Sequence, residues 1–325
     1  MRRAVSAVGI GLMMMAVVGC GALGGPPRPD SAGGPGGPGG PANPTAPASP
    51  TVAATTPPVT GGTVSLSALP LGDGKVGATP QVGYVDACQT TFGGGGAMVN
   101  GPWIHGSTWD AITKLAAQGS VTWPQARNHI SVTGDQRIIT TDDLPEGFTT
   151  GTFPIAATDP AFAYDRNPNT IRPQSLTYTL PANPALASTP SCANMGPVGV
   201  LADGVVLYNA LDGEGRDAVA HEVLDSCGGH PDQSGMYHHH DIPPCLLRTA
   251  TGSSTLVGYA LDGFGIYVER DAQGNLLTNA DLDACHGRTS VIEWDGKQVS
   301  MYHYVATAEY PYDIGCYRGT PVRSR

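Results

Sequence analysis

Apolar positions in this chain fall into short runs broken by glycine, proline and polar residues, a pattern that predicts strands more often than helices. Gln136 to Thr141 and Ser175 to Leu180 alternate or favour β-branched residues, as short strands do. Leu201 to Tyr208 and Ala260 to Tyr267 each set apolar residues around an Asp-Gly pair, the mark of a β-hairpin with a tight turn. Only Ser107 to Gln118 and Arg216 to Leu224 have helix-like spacing and starts, each about three turns or less. The expected fold is therefore mainly β: a β-rich single body with many loops, its C-terminal half built from two pseudo-repeated hairpin-containing units.

The repeat is legible by aligning the chain with itself. Gly199 to Tyr208 matches Gly258 to Tyr267 at an offset of 59 residues, Leu224-Asp225-Ser226-Cys227 matches Leu282-Asp283-Ala284-Cys285 at 58, and Met236-Tyr237-His238 matches Met301-Tyr302-His303 at 65. Three matches in the same order at nearly constant spacing indicate a duplicated unit, about 199–245 and 258–316, with small insertions in the second copy. Six cysteines beyond Cys20, in an oxidising compartment, suggest three disulfides. Composition alone permits any pairing. The duplication makes Cys227 equivalent to Cys285 and lets Cys245 and Cys316 close their units, which predicts Cys227 with Cys245, Cys285 with Cys316, and Cys88 with Cys192. No Cys-x-x-Cys pair points instead to a zinc site.

At the N-terminus, Arg2 and Arg3 precede an apolar run from Val8 to Val18, too short to span a bilayer but suited to a signal peptide over 1–19. The run ends in Val17-Val18-Gly19-Cys20, which resembles a lipobox, so Cys20 is expected to be acylated and to hold the protein on the outer face of the cell membrane. Residues 20–62, rich in Gly, Pro, Ala, Ser and Thr, cannot bury enough apolar area to order themselves and read as a tether. The folded body is then 63–325. Charged residues are only 14% and the formal net charge is −10, which argues against a nucleic-acid or anionic-lipid binding face.

Chemistry concentrates in histidines. Five fall within 20 residues: His221, His230, His238, His239 and His240. On a strand, His238 and His240 share one face while Tyr237 and His239 take the other. A His-x-His pair of that kind starts a site for a divalent transition metal such as zinc or copper, because two neutral imidazoles can converge on one ion. His230 or His221 is a candidate third ligand, with Asp225 placed to orient His221 if Arg216 to Leu224 is helical. The second copy keeps only His286 and His303, with Arg288 and Val305 where the first has His230 and His240, so His303 enters only as a ligand completing the site across a pseudo-twofold. Nucleophile motifs are missing: there is no Gly-x-Ser-x-Gly elbow, and Gly93-Gly94-Gly95-Gly96 lacks the Gly-Lys-Ser/Thr of a phosphate loop and reads as a flexible turn. His105 and His129 are isolated and read as structural.

Several of these segments taken in order, Tyr164 to Asn169, Ala218 to Glu222, Asp225 to Pro231, Tyr237 to His240, Gly258 to Phe264 and Ala308 to Cys316, resemble the YHYH-domain family across most of residues 100 to 320. The eponymous tetrad reads Tyr-His-His-His in the first copy and Tyr-His-Tyr-Val in the second. The resemblance implies an extracytoplasmic domain and names no activity. Three functional classes stay open: a metal-binding domain, a metal-free structural, adhesion or protein-binding module, and a metal-dependent hydrolase. Converging imidazoles beside a carboxylate and an open position would favour catalysis; dispersed rings bonded to backbone would favour the structural module.

Overall fold

The computed structural model describes residues 64–323. The segments expected to be a signal peptide (1–19) and a tether (20–62), with Cys20, lie outside the described residues. Within them, no helix is long and apolar enough to cross a membrane.

Three strands before the repeat, β1 (Asn128–Thr133), β2 (Gln136–Thr141) and β3 (Leu176–Pro181), form an antiparallel sheet in the order β3-β2-β1. Both runs read from the sequence as strands are strands. The larger sheet has eight strands: β4 (Pro197–Leu201), β5 (Val206–Tyr208), β6 (Gly229–Pro231), β7 (Tyr237–His239), β8 (Ser254–Ala260), β9 (Gly265–Glu269), β10 (Gly287–Trp294) and β11 (Lys297–Ala306). Their order is β6-β7-β5-β4-β8-β9-β11-β10.

That order is palindromic in the two copies. Each contributes a hairpin and a second antiparallel pair, and the halves meet where β4 runs antiparallel to β8 with Gly199 opposite Ala260 and Leu201 opposite Gly258. Since Gly199 is equivalent to Gly258, and Leu201 to Ala260, those two pairs are images of one another and a pseudo-twofold passes near Val200 and Tyr259. The register repeats as well. Leu207 faces His239 across parallel β5 and β7, as Ile266 faces Tyr304 across β9 and β11. His230 faces His238, as Arg288 faces His303. Both hairpin turns place Gly at positive φ, Gly204 at 89° and Gly263 at 92°, which is why each needs Asp-Gly. Along the middle of the sheet Val200, Leu201, Val206, Leu207, Ala260 and Ile266 are fully buried and form the core.

The three disulfides are Cys88–Cys192, Cys227–Cys245 and Cys285–Cys316, the pairing expected from the repeat. The helices differ from expectation. Ser107 to Gln118 contains a two-residue strand, Thr108–Trp109, followed by a turn in which the Asp110 carboxylate accepts from the backbone of Ile112 and Thr113. Burying Trp109 outweighs local helical spacing there. In the other segment only α1 (Ala218–His221) is helical, capped by the Asp217 carboxylate. It stops because Val223 N–H donates to the Asp165 carboxylate and the Leu224 carbonyl accepts from Ala117, tertiary bonds that draw the backbone out of the helix.

Candidate metal centre

The candidate ligands converge at one end of the sheet. His230 on β6 and His238 on β7 are cross-strand partners, and His240, two residues on, shares their face. The ligand atoms of these three rings lie within 4.8 Å of one another, and the residues are only 4%, 4% and 3% exposed. On the opposite face Tyr237 donates to the Asp225 carboxylate at 2.9 and 3.0 Å, while His239 Nε2 lies 3.8 Å from Asp203. The alternation read from the sequence holds.

Each ring is oriented from behind. His240 Nδ1 donates to the Asn209 carbonyl at 2.6 Å and His238 Nδ1 to the Met236 carbonyl at 3.2 Å, which leaves the Nε2 lone pairs free to face an ion. Asn167 Nδ2 donates to the Pro231 carbonyl and lies 3.4 Å from His230 Nδ1, fixing that strand beside β7. Tyr208 stacks on His238 with centroids 3.9 Å apart and donates its hydroxyl to Asp232. Burial, and then the neighbouring imidazoles, hold His230 and His238 well below the ordinary imidazole pKa, so both are neutral and competent as ligands. For His240 burial acts downward too, but the Glu222 carboxylate outweighs it and raises the pKa.

Glu222 is the residue the sequence reading missed. Its Oε2 lies 3.4 Å from His230 Nε2 and 3.3 Å from His240 Nε2. All three atoms are buried without a hydrogen-bond partner, the condition expected where an ion would stand. Glu222 follows α1 in extended conformation, and its backbone is pinned by its own N–H to the Ala218 carbonyl and by Lys114 Nζ donating to its carbonyl at 2.7 Å. Burial raises the Glu222 pKa and, despite nearby carboxylates, draws the Lys114 ammonium down to about 8. The only available signal was its place beside His221 in Ala218 to Glu222.

Two candidate ligands fall elsewhere. His221 turns away and binds the Asp73 carboxylate through Nε2 at 2.9 to 3.0 Å, and Asp225, expected to orient it, is occupied by Tyr237 and the backbone of Gly151, Cys227 and Gly229. His303 occupies the position of His238 in the other half. Five strand steps separate β7 from β11, roughly 24 Å at ~4.8 Å per strand, so His303 cannot complete the site. It packs instead against Glu269, 3.3 Å from Nε2.

A cleft of about 300 Å³ opens onto the three histidines and Glu222. Gly94, Gly95 and Gly96 line it, with Asp165 and Asn167 from the segment before the repeat. The glycine run is thus a wall of the cleft as well as a turn: Gly96 sits at φ 97°, and a Cβ there would lie 2.9 Å from the Asp212 carboxylate and 3.1 Å from Glu222 Oε1. No lysine or arginine lines the cleft among the described residues.

Fold and site together define a duplicated β-sheet domain with a buried histidine cluster in one copy. The family model described as YHYH protein matches residues 177–277, and this stretch of the chain belongs to the YHYH family. The match holds the whole histidine cluster and is shorter than the resemblance over 100 to 320. Nothing matches the chain among curated proteins or among solved structures.

Proposed function

We propose that this protein is a lipid-anchored, extracytoplasmic domain that binds one divalent transition metal ion, zinc or copper, through His230, His238 and His240. The observation that carries the reading is the convergence of three buried imidazoles whose ligand atoms lie within 4.8 Å. Neutral imidazoles are good ligands for both metals. The apolar start, Cys20 and three disulfides support an oxidising location outside the cytoplasm. Elemental analysis of the full chain, purified without a histidine tag, tests the reading: near one equivalent of metal is expected, and none in the His238→Ala, His240→Ala double variant. Protein that is metal-free and stays so after incubation with Zn(II) or Cu(II) overturns it.

Glu222 beside an open cleft favours a second reading, a metal-dependent hydrolase in which that carboxylate takes a proton from water. It requires metal-dependent cleavage of a model ester or peptide, abolished in Glu222→Gln while the metal stays bound.

A further inference from the structure

Resting on the metal-binding reading, we propose that Glu222 is itself a ligand, so that the ion sits in a buried set of three imidazoles and one carboxylate. The separations carry the argument. A charge-assisted N–H···O contact closes to about 2.7–2.9 Å, whereas Glu222 Oε2 stands 3.4 and 3.3 Å from His230 Nε2 and His240 Nε2 without hydrogen-bond geometry. An ion that holds nitrogen and oxygen ligands at about 2.0–2.1 Å in a tetrahedron sets neighbouring donor atoms about 3.3–3.4 Å apart. Glu222 Oε2 and the Nε2 atoms of His230 and His240 are therefore too far apart to share a proton well and suitably spaced to share an ion. The group within 4.8 Å is that of the three imidazoles alone, so the carboxylate has to draw in on the His238 side to complete the set.

Charge leads to the same place. A buried carboxylate stays ionised only beside a cation and otherwise takes up a proton, and among the described residues no lysine or arginine pairs with that of Glu222; Lys114 reaches only its backbone carbonyl. The second copy shows what happens where a cation is built in. There Glu269 keeps the same separation, 3.3 Å, from His303 Nε2, and Arg288, in the place of His230, sets its guanidinium 3.7 Å from the same carboxylate. One copy carries its cation on a side chain. The other presents an imidazole in its stead and leaves the carboxylate to be neutralised by an ion.

The site's backbone is also arranged to hold Glu222 still. Its flanking N–H groups and its carbonyl are all taken by Ala218, Asp165 and Lys114, and Gly96 leaves room for the carboxylate where any side chain would crowd it. Such pinning suits a ligand whose position must not depend on the ion.

Co(II) binding to the full chain, followed by visible absorption, decides the matter. The wild-type protein should take up one Co(II) with the intense bands of a four-coordinate ion. Glu222→Gln should bind it more weakly by about 100-fold or more, beyond the ~10–100-fold that a partner merely orienting a ligand gives, and with altered bands. Glu222→Asp should recover part of the affinity. Equal affinity and an unchanged spectrum in Glu222→Gln, with binding still lost in the His238→Ala, His240→Ala variant, overturn Glu222 as a ligand and leave the histidine site standing. A wild-type protein that takes up neither Co(II) nor Zn(II) overturns the metal reading itself. If Glu222→Gln fails to fold, a crystal of the wild-type zinc complex decides: a Zn–Oε2 bond supports the proposal, and a carboxylate beyond bonding distance overturns it.

Discussion

The two halves of the eight-stranded sheet share a skeleton and differ most at one corner. In both, an aspartate at the Leu-Asp-x-Cys turn takes the hydroxyl of the first tyrosine of the motif, Tyr237 to Asp225 and Tyr302 to Asp283. In both, the Asp-Gly hairpin aspartate faces the third residue of the motif: Asp203 lies near His239, and Asp262 accepts from Tyr304 at 2.6 Å. His238 and His303 each send Nδ1 to the carbonyl two residues back. At the corner, however, His230 and His240 become Arg288 and Val305. A fold that forms with arginine and valine at these places does not need histidines to hold it together. The additional imidazoles of the first copy are thus not required by the skeleton that the two copies share.

The broadest way to break this comparison is to strike the shared skeleton. A Cβ on Gly229 would lie 2.3 Å from the Tyr237 ring, and one on Gly287 2.3 Å from the Tyr302 hydroxyl and 2.5 Å from the His303 carbonyl. Gly229→Ala and Gly287→Ala should each destabilise the protein by about 3 kcal/mol or more through overpacking, read as a shift in the urea midpoint. A tolerated alanine at either position would show that the two tyrosine seats are not equivalent.

A smaller effect tests the corner. Arg288→His with Val305→His rebuilds in the second copy the three-histidine face of the first, beside Glu269. Val305 is fully buried, so the ion-free variant should lose about 1–3 kcal/mol for an unsatisfied polar group. Zn(II) should restore much of that stability and raise the metal content from one equivalent to two. A variant that folds and still binds one would mean that the first copy's site depends on more than the repeat, namely on Glu222 and the segment that contributes Asn167.

That dependence also explains what could be read from the chain. The hairpins were legible because Asp-Gly turns and alternating side chains are local signals, and the disulfides because duplication made equivalents of Cys227 and Cys285. His238 and His240 followed from strand periodicity alone. His221 was misplaced because its ring turns to Asp73, far away in the sequence, Asp225 because the helix that would have set it beside His221 is cut short by tertiary bonds, and His303 because nearness under a pseudo-twofold cannot be judged before the strand order is known. Asn167 and Asp165 reach the site from a segment some sixty residues away, through bonds to Pro231 and Val223 that leave no periodic trace.

The finest distinction between the halves lies one residue after the turn cysteine, where the first copy has Gly228 at φ 80° and the second has His286 at φ 71°. A histidine in the left-handed region is strained where glycine is not. His286 is held there by burial and by its Nε2 contact with Thr307 at 3.1 Å. Burial pushes its pKa down from 6.5 to about 3. Between those values the unfolded chain binds a proton that the folded one does not, so this residue makes stability fall as pH drops from 6.5 towards 3. His286→Gly should therefore change stability at pH 7 by less than about 1 kcal/mol, relief of backbone strain offsetting the lost contact. It should also flatten the acid limb of the urea-midpoint profile over that range. If the acid limb stays as steep in the variant, the proton uptake belongs to another buried group, and the difference between Gly228 and His286 is one of backbone fit alone.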